Sequence, residues 1–225
     1  MSRDPHRDIS GQAVARMLLE AKAIRVDATR PFFLAAGWAS PVYVDCRLLI
    51  GEPRWRLKVT ELAIATLRRA APTEFTMVAG AETAGIPWAS FIAERLNLPM
   101  RYVRKRSLGI GRNAQVEGGD VEGANVLLVD DLTTDGNSKA AFTRGLRQAG
   151  AEVTDAFSIF HHAVFPGWQP RLEKLGLRLH VLAGWEDLLR LDPGEGLDKP
   201  AREELERFLA DPTGWSARHG GRAAP

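Results

Sequence analysis

Asn125–Phe142 reads NVLLVDDLTTDGNSKAAF. The run from Asn125 to Val129 is short and nearly all apolar, which suits a strand buried on both faces. Two adjacent acids, Asp130 and Asp131, end it, and a polar turn, LTTDGNS, follows. The residues after the turn predict a helix from Asn137 to Gln148, with Gly150 as its stop. Such a turn brings its backbone N–H groups and the helix start out together, and that makes an anion site. Thr133, Thr134 and Ser138 add hydroxyl donors, and Gly136 lets the backbone approach a phosphate closely. Asp135 and Asn137 complete the turn. The acids fall at the carboxyl end of the strand, where open α/β sheets bind ligands. Two carboxylates beside a phosphate would repel it unless they grip something else; ribose hydroxyls and Mg²⁺ are natural candidates. The stretch is not a P-loop, because GxxxxGK[ST] is absent. GIGRNA from Gly109 follows no strand–helix junction and is no dinucleotide fingerprint either.

Outward from this centre, strands and helices alternate. FTMVAG predicts a buried strand, followed by a helix from Gly85 to Leu96 and a short strand from Pro99 to Val103. Beyond the central helix come strands at Val153 to Phe160 and Leu177 to Leu182, with a helical stretch around Pro170 to Leu175 between them. This alternation predicts a parallel sheet flanked by helices. Gln12 to Ile24 reads as a helix with Ser10 as N-cap, and Pro53 to Arg69 as a second with Pro53 in its first turn. Between them, RPFFLAAGWASPVYVDCR has two apolar runs split by Gly37 and Pro41, the pattern of a strand pair. That pair stands outside the alternation and predicts a small N-terminal hood. The expected fold is therefore α/β, with N-terminal helices and hood strands over 1–70, the α/β core over 71–195, and a C-terminal helix and tail over 196–225. The tail predicts a helix from Arg202 to Leu209 and then a frayed end. Arg104 to Gly123 holds five glycines and no clear period, so it predicts a functional or mobile loop.

Bulk composition narrows the function classes. A net charge of +2 gives no argument for nucleic-acid binding, and part of the excess is terminal (Arg3, Arg7, Arg218, Arg222). No apolar run is long enough to span a bilayer and the first ten residues carry none at all, so a cytoplasmic, membrane-free protein is expected. The single cysteine, Cys46, has no partner for an internal disulfide and no metal-ligand spacing; it reads as a packing residue. No Ser-His-Asp pattern suggests a covalent nucleophile.

VLLVDDLTTDGNS resembles the phosphoribosyl pyrophosphate motif of type I phosphoribosyltransferases. FFLAAGWASPVYVDCR, AGAETAGIPWASFIAERLNLPMRYVRK and GRNAQVEG resemble, in the same order, segments of the bacterial orotate phosphoribosyltransferases. The likeness covers about residues 10 to 210. It implies a type I phosphoribosyltransferase fold and the making of orotidine 5′-monophosphate from orotate and phosphoribosyl pyrophosphate in pyrimidine synthesis. It also implies Mg²⁺ as cofactor and a homodimer in which a mobile loop from one subunit covers the site of the other.

Carried over residue by residue, the resemblance gives Asp130 and Asp131 the ribose hydroxyls and the orientation of Mg²⁺-bound substrate. Thr134 to Ser138 cradle the 5-phosphate. Ala81, Glu82 and Thr83 fall on the pyrophosphate loop. Arg104 and Lys105 begin the mobile loop and reach the pyrophosphate, and Ser40, Pro41 and Val42 flank the base. The chain departs from the family in places. Leu108 and Ile110 stand where a lysine and a histidine are common, with Arg106 and Arg112 as substitute pyrophosphate ligands. Ala35 stands where the hood has a lysine. No arginine matches the one that grips the orotate carboxylate, and His161 or His162 lies nearest. These departures keep two other readings open: a phosphoribosyltransferase acting on a different base, and a nucleotide sensor without turnover.

Overall fold

A computed structural model describes residues 5–27, 29–71, 74–107, 115–192 and 194–224. Leu108, Ile110 and Arg112 lie outside the described residues. The chain begins with helix α1 (Pro5–Glu20) and strands β1 (Ile24–Val26), β2 (Phe32–Phe33), β3 (Ala39–Ser40) and β4 (Val42–Val44). A 3-10 turn (Cys46–Ile50) leads into α2 (Pro53–Ala70). The core follows as β5 (Met77–Ala81), α3 (Gly85–Leu96), β6 (Met100–Val103), β7 (Val116–Glu117), β8 (Asn125–Thr133), α4 (Asn137–Gln148), β9 (Glu152–His161), α5 (Trp168–Lys174) and β10 (Arg178–Ala183). Helices α6 (Trp185–Leu189), α7 (Lys199–Ala210) and α8 (Pro212–Arg218) close the chain.

The sheet runs β10-β9-β8-β5-β6-β7. Its first five strands are mutually parallel and β7 returns antiparallel on β6. Strand β8 is central and buried on both faces because its side chains alternate between two cores. Leu127 and Val129 join the cluster under α1, α2 and α3, whereas Val126 and Leu128 join the one under α4 and α5. This is the continuous apolar run that a two-sided parallel strand requires. Gly85 shows how tightly α3 docks on that strand. A Cβ there would lie 2.3 Å from the carbonyl oxygen of Val129, so only glycine permits the approach.

Several sequence expectations shift. Strand β8 does not stop at Val129 but runs on through Thr133, with Asp130 opposite Ser158 and Thr133 opposite His161. Helix α1 starts at Pro5, so Ser10 is a buried residue inside the helix and not its cap. The polar first turn hid that start from an apolar-period reading, although proline at a helix N-terminus is a start signal. The hood is two antiparallel pairs, β1 with β4 and β2 with β3. The segment from Arg104 to Gly123 is partly regular: Arg104 N–H donates to the Gln115 carbonyl and β7 pairs with β6.

The tail is packed instead of frayed. Helix α8 buries Trp215, Ser216 Oγ accepts from the Ala39 N–H at 3.0 Å, and Arg222 lies 5.2 Å over the Trp38 ring. The C-terminal residues therefore buttress the hood. Cys46 is fully buried, and burial pushes its thiol pKa well up, so it is an inert packing residue. Among the described residues, no helix is long and apolar enough to cross a membrane.

Candidate active site

The carboxyl end of β8 opens into a cleft of about 610 Å³. Its floor is Asp130, Asp131 and Leu132, and Thr134 and Ser138 line the side toward α4. Glu82, Thr83, Ala84 and Lys105 form a second wall, and the hood strand with its following turn (Tyr43, Val44, Asp45, Arg47) the third. A smaller pocket of about 220 Å³ adjoins it, lined by the turn from Leu132 to Lys139 and capped by Ala35 and Ala36 of the hood.

The two acids are not equivalent. Asp130 is buried, and both of its carboxylate oxygens are occupied. Oδ2 accepts from Lys139 Nζ at 2.6 Å, and Oδ1 accepts from the Asp131 N–H at 3.0 Å. Lys139 is itself buried, and its ammonium also donates to the Leu132 carbonyl at 3.0 Å. The lysine in the first turn of α4 thus folds back under the strand end and neutralises the acid, which lets β8 continue through Asp130. Asp131 is left facing the cleft. Burial first, and then the negative charge of Asp130, raises its carboxyl pKa to about 7. Such a group sits near its titration point in neutral solution and is stabilised in its charged form by any cationic or hydrogen-bond-donating ligand.

The turn beyond is pre-shaped. Gly136 has φ +77°, a conformation glycine adopts without strain, and it precedes the first residue of α4. Asp135 is consumed by the turn itself: Oδ1 accepts from the Asn137 N–H and Oδ2 from Asn137 Nδ2, while Arg171 donates to its carbonyl. Its carboxylate is therefore held within the turn by Asn137. Thr134 and Ser138 line both pockets. Thr133, predicted as a donor, is turned inward and shares a 2.8 Å bond with Ser158 Oγ.

The remaining predicted residues divide. Ala81 ends β5 in the core, and the next residue, Glu82, accepts from the Lys105 N–H at 2.7 Å; this bond joins the two segments of the second wall. Lys105 is exposed and lines the cleft. Arg104 pairs with Glu117 at 2.9 Å across the β6–β7 hairpin, and Arg106 is exposed; neither lines the cleft. Ser40 accepts from the Val42 N–H and donates to the Val42 carbonyl, shaping the chain around Pro41.

Both histidines are displaced from the role given them. The His161 ring packs edge-on to Trp168 of α5 at 4.5 Å and lines a separate pocket with Leu179 and His180. Successive strand residues face opposite sides, so His162 turns the other way, against Phe160 and Trp185. Burial lowers the His162 pKa to about 3, with His161 adding to the effect. It is neutral at physiological pH and supplies no cation for a carboxylate. Three residues of the site escaped the sequence reading: Lys139, Asp45 and Arg47. Only the Asp-x-Arg spacing of the last two carried any signal.

A parallel sheet with this strand order, an acid pair and a glycine-led helix start at the end of its central strand, and a hood above defines a type I phosphoribosyltransferase. Residues 52–165 match the family model of the phosphoribosyl transferase domain. Across 96% of its length the chain is 46% identical to an orotate phosphoribosyltransferase of Rhizobium rhizogenes, covering 94% of that protein. Among solved structures, the orotate phosphoribosyltransferase of Aeropyrum pernix aligns with a TM-score of 0.64 at 31% identity, over 77% of this chain and 94% of that one. The UMP synthase of Leishmania donovani aligns with a TM-score of 0.76 at 27% identity, over 89% of this chain and 42% of that one. The chain belongs to the orotate phosphoribosyltransferase family.

Proposed function

We propose that this protein transfers the phosphoribosyl group of phosphoribosyl pyrophosphate to orotate, giving orotidine 5′-monophosphate and pyrophosphate in pyrimidine synthesis. The observation that carries the reading is the placement of Asp131, free of the brace that holds Asp130, in one cleft with the Thr134–Ser138 turn and the Glu82–Lys105 wall. The 5-phosphate sits on the turn, with the α4 N-terminus and the Thr134 and Ser138 hydroxyls as donors. Asp131 accepts from the ribose hydroxyls. The bond from C1′ to pyrophosphate breaks with its electron pair leaving on oxygen, and the deprotonated base nitrogen closes the new bond. The ribose carbon becomes cation-like on the way, so positioning and charge stabilisation do most of the catalysis. In this reading the Asp131 carboxylate stabilises that positive charge.

The donor set fits Mg²⁺. Among the described residues no group of three or more ligating side chains gathers to hold a metal, but Mg²⁺ characteristically uses one or two carboxylates together with substrate oxygens. Asp131 would hold it, through the ribose hydroxyls or water, and the ion supplies charge neutralisation to the departing pyrophosphate. The proposal extends to a homodimer with shared sites, in which Lys105 begins the covering loop.

The test is pyrophosphate release from phosphoribosyl pyrophosphate against orotate and a panel of other bases, with and without Mg²⁺. Release is expected with orotate and Mg²⁺. Equal release with another base, or tight ligand binding with no release, would favour the different-base or sensor reading. A companion prediction isolates the turn. Thr134→Val removes one hydroxyl donor to the phosphate, which costs about 1–3 kcal/mol. Calorimetry should therefore show ribose 5-phosphate and orotidine 5′-monophosphate bound roughly 5- to 150-fold more weakly, with free orotate little changed. An equal loss for orotate would remove Thr134 from the phosphate site.

A further inference from the structure

The hood wall of the cleft carries a cation that none of the roles above uses. Arg47 follows β4 in the Cys46–Ile50 turn and has an exposed side chain, 57% accessible. Asp45 grips it with both oxygens: Nε donates to Oδ1 at 2.6 Å and Nη2 to Oδ2 at 2.8 Å. Nη2 also donates to the Tyr43 hydroxyl at 3.2 Å. The fork is thus fixed along one edge, while Nη1 has no hydrogen-bond partner among the described residues. The Asp45 bond, then the Coulomb attraction of Asp45, and further off Tyr43 and Asp131, push the guanidinium pKa up, so it is charged at every working pH.

The charge balance of the cleft says what such a group is for. Its lining includes four carboxylates, Asp45, Glu82, Asp130 and Asp131, and two cations, Lys105 and Arg47. The third cation nearby, Lys139, is buried and committed to Asp130. Arg47 lines the cleft together with Ile50 of its own turn and with Thr83, Ala84 and Pro87 at the start of α3. A polyanion entering between Glu82 and Asp131 needs positive charge from both sides, and Lys105 supplies it from one.

We infer that Arg47, braced by Asp45, binds the pyrophosphate group from the hood wall of the cleft that Lys105 also lines. This rests on the proposed function. A planar guanidinium held on one edge spends little entropy in presenting its other edge to phosphate oxygens, and it forms charge-assisted bonds there. The same contact would be lost when pyrophosphate departs, so it acts on one substrate and one product only.

The experiment is calorimetric titration of the full chain, with Mg²⁺ present, using pyrophosphate and orotidine 5′-monophosphate as separate probes. Wild type, Arg47→Gln and Arg47→Lys are compared. Arg47→Gln is expected to weaken pyrophosphate by about tenfold or more, the loss of one charge-assisted contact, and to leave orotidine 5′-monophosphate within about twofold. In steady state its KM for phosphoribosyl pyrophosphate rises while its KM for orotate holds. Arg47→Lys, which keeps the charge without the fork, should fall between and serves as the readout if the glutamine variant folds poorly. Equal weakening of both probes would make Arg47 a structural brace of the hood, and a rise in the KM for orotate alone would make it a base ligand; either result overturns the inference. A wild-type chain that binds neither probe takes down the proposed function itself, which separates the two failures.

Discussion

Lys139→Met should cost about 3–5 kcal/mol of folding stability, the usual penalty for stripping one partner from a buried ion pair. The lysine is 1% exposed, and its ammonium sits 2.6 Å from Asp130 Oδ2 with the Leu132 carbonyl as its second acceptor. Methionine keeps the volume of the stem, so packing changes little and the loss is electrostatic. It leaves Asp130 buried without its counter-charge, with Oδ2 stripped of its donor and Oδ1 held only by the Asp131 N–H, and takes a donor from the Leu132 carbonyl at the end of the strand that organises the sheet. The double variant Lys139→Met/Asp130→Asn removes the uncompensated charge and should recover most of the loss. Urea unfolding followed by circular dichroism measures both. If the single variant loses less than about 1 kcal/mol, a surface-like value, then Lys139 does not hold the strand end. The same pair has a functional side. With Asp130 fixed from below, Asp131 is the acid left to face a ligand.

How much of this could be read from the sequence follows from the range of each interaction. Helices α3 and α4 fall on their expected residues, 85–96 and 137–148, because glycines and a local apolar period mark their ends. The sequence predicts that strand β8 stops at the acids, since charge next to an apolar run normally signals a turn. It continues because Lys139, nine residues on, neutralises Asp130. A lysine in the first turn of an amphipathic helix reads as a solvated side chain, and nothing local says that it folds back under a strand. The tail failed for the same reason at longer range. Its order comes from Ser216 and Arg222 meeting Ala39 and Gly37 of the hood, contacts separated by more than 170 residues. In the site, the turn from Thr134 to Ser138 and the acids were legible because strand, turn and helix are consecutive. The hood wall was not, because Arg47 reaches the cleft only after the hood folds over the sheet. His161 and His162 are consecutive and so face opposite sides, but their sequence does not say which of them faces the cleft; His161 packs on Trp168 of α5 and lines a separate pocket.

Asp131→Asn should lower affinity for phosphoribosyl pyrophosphate by about a hundredfold, on the order of two hydrogen bonds to a charged group, while the protein stays folded. Stability is expected to hold or rise slightly, because the substitution removes a carboxyl that burial and Asp130 disfavour in its charged form. The sign of the pH dependence follows from that shift. The folded protein keeps a proton on Asp131 up to about pH 7, whereas the unfolded chain releases it near the ordinary value of 3.8. Across that window the native state binds more protons, so the Asp131 contribution to stability falls as pH rises and levels off above 7. Ligand binding runs the other way. Gripping ribose hydroxyls and a Mg²⁺-bearing substrate needs the carboxylate, so affinity should climb between pH 6 and 8 with uptake of ligand releasing a proton from Asp131. Calorimetric titrations in two buffers of different ionisation enthalpy count that proton directly. The asparagine variant should show weak binding and a flat profile over the same range. An affinity unchanged by Asp131→Asn would take Asp131 out of the site; a wild-type profile with no proton released near pH 7 would mean that its carboxyl is already ionised there and would overturn the pH dependence alone.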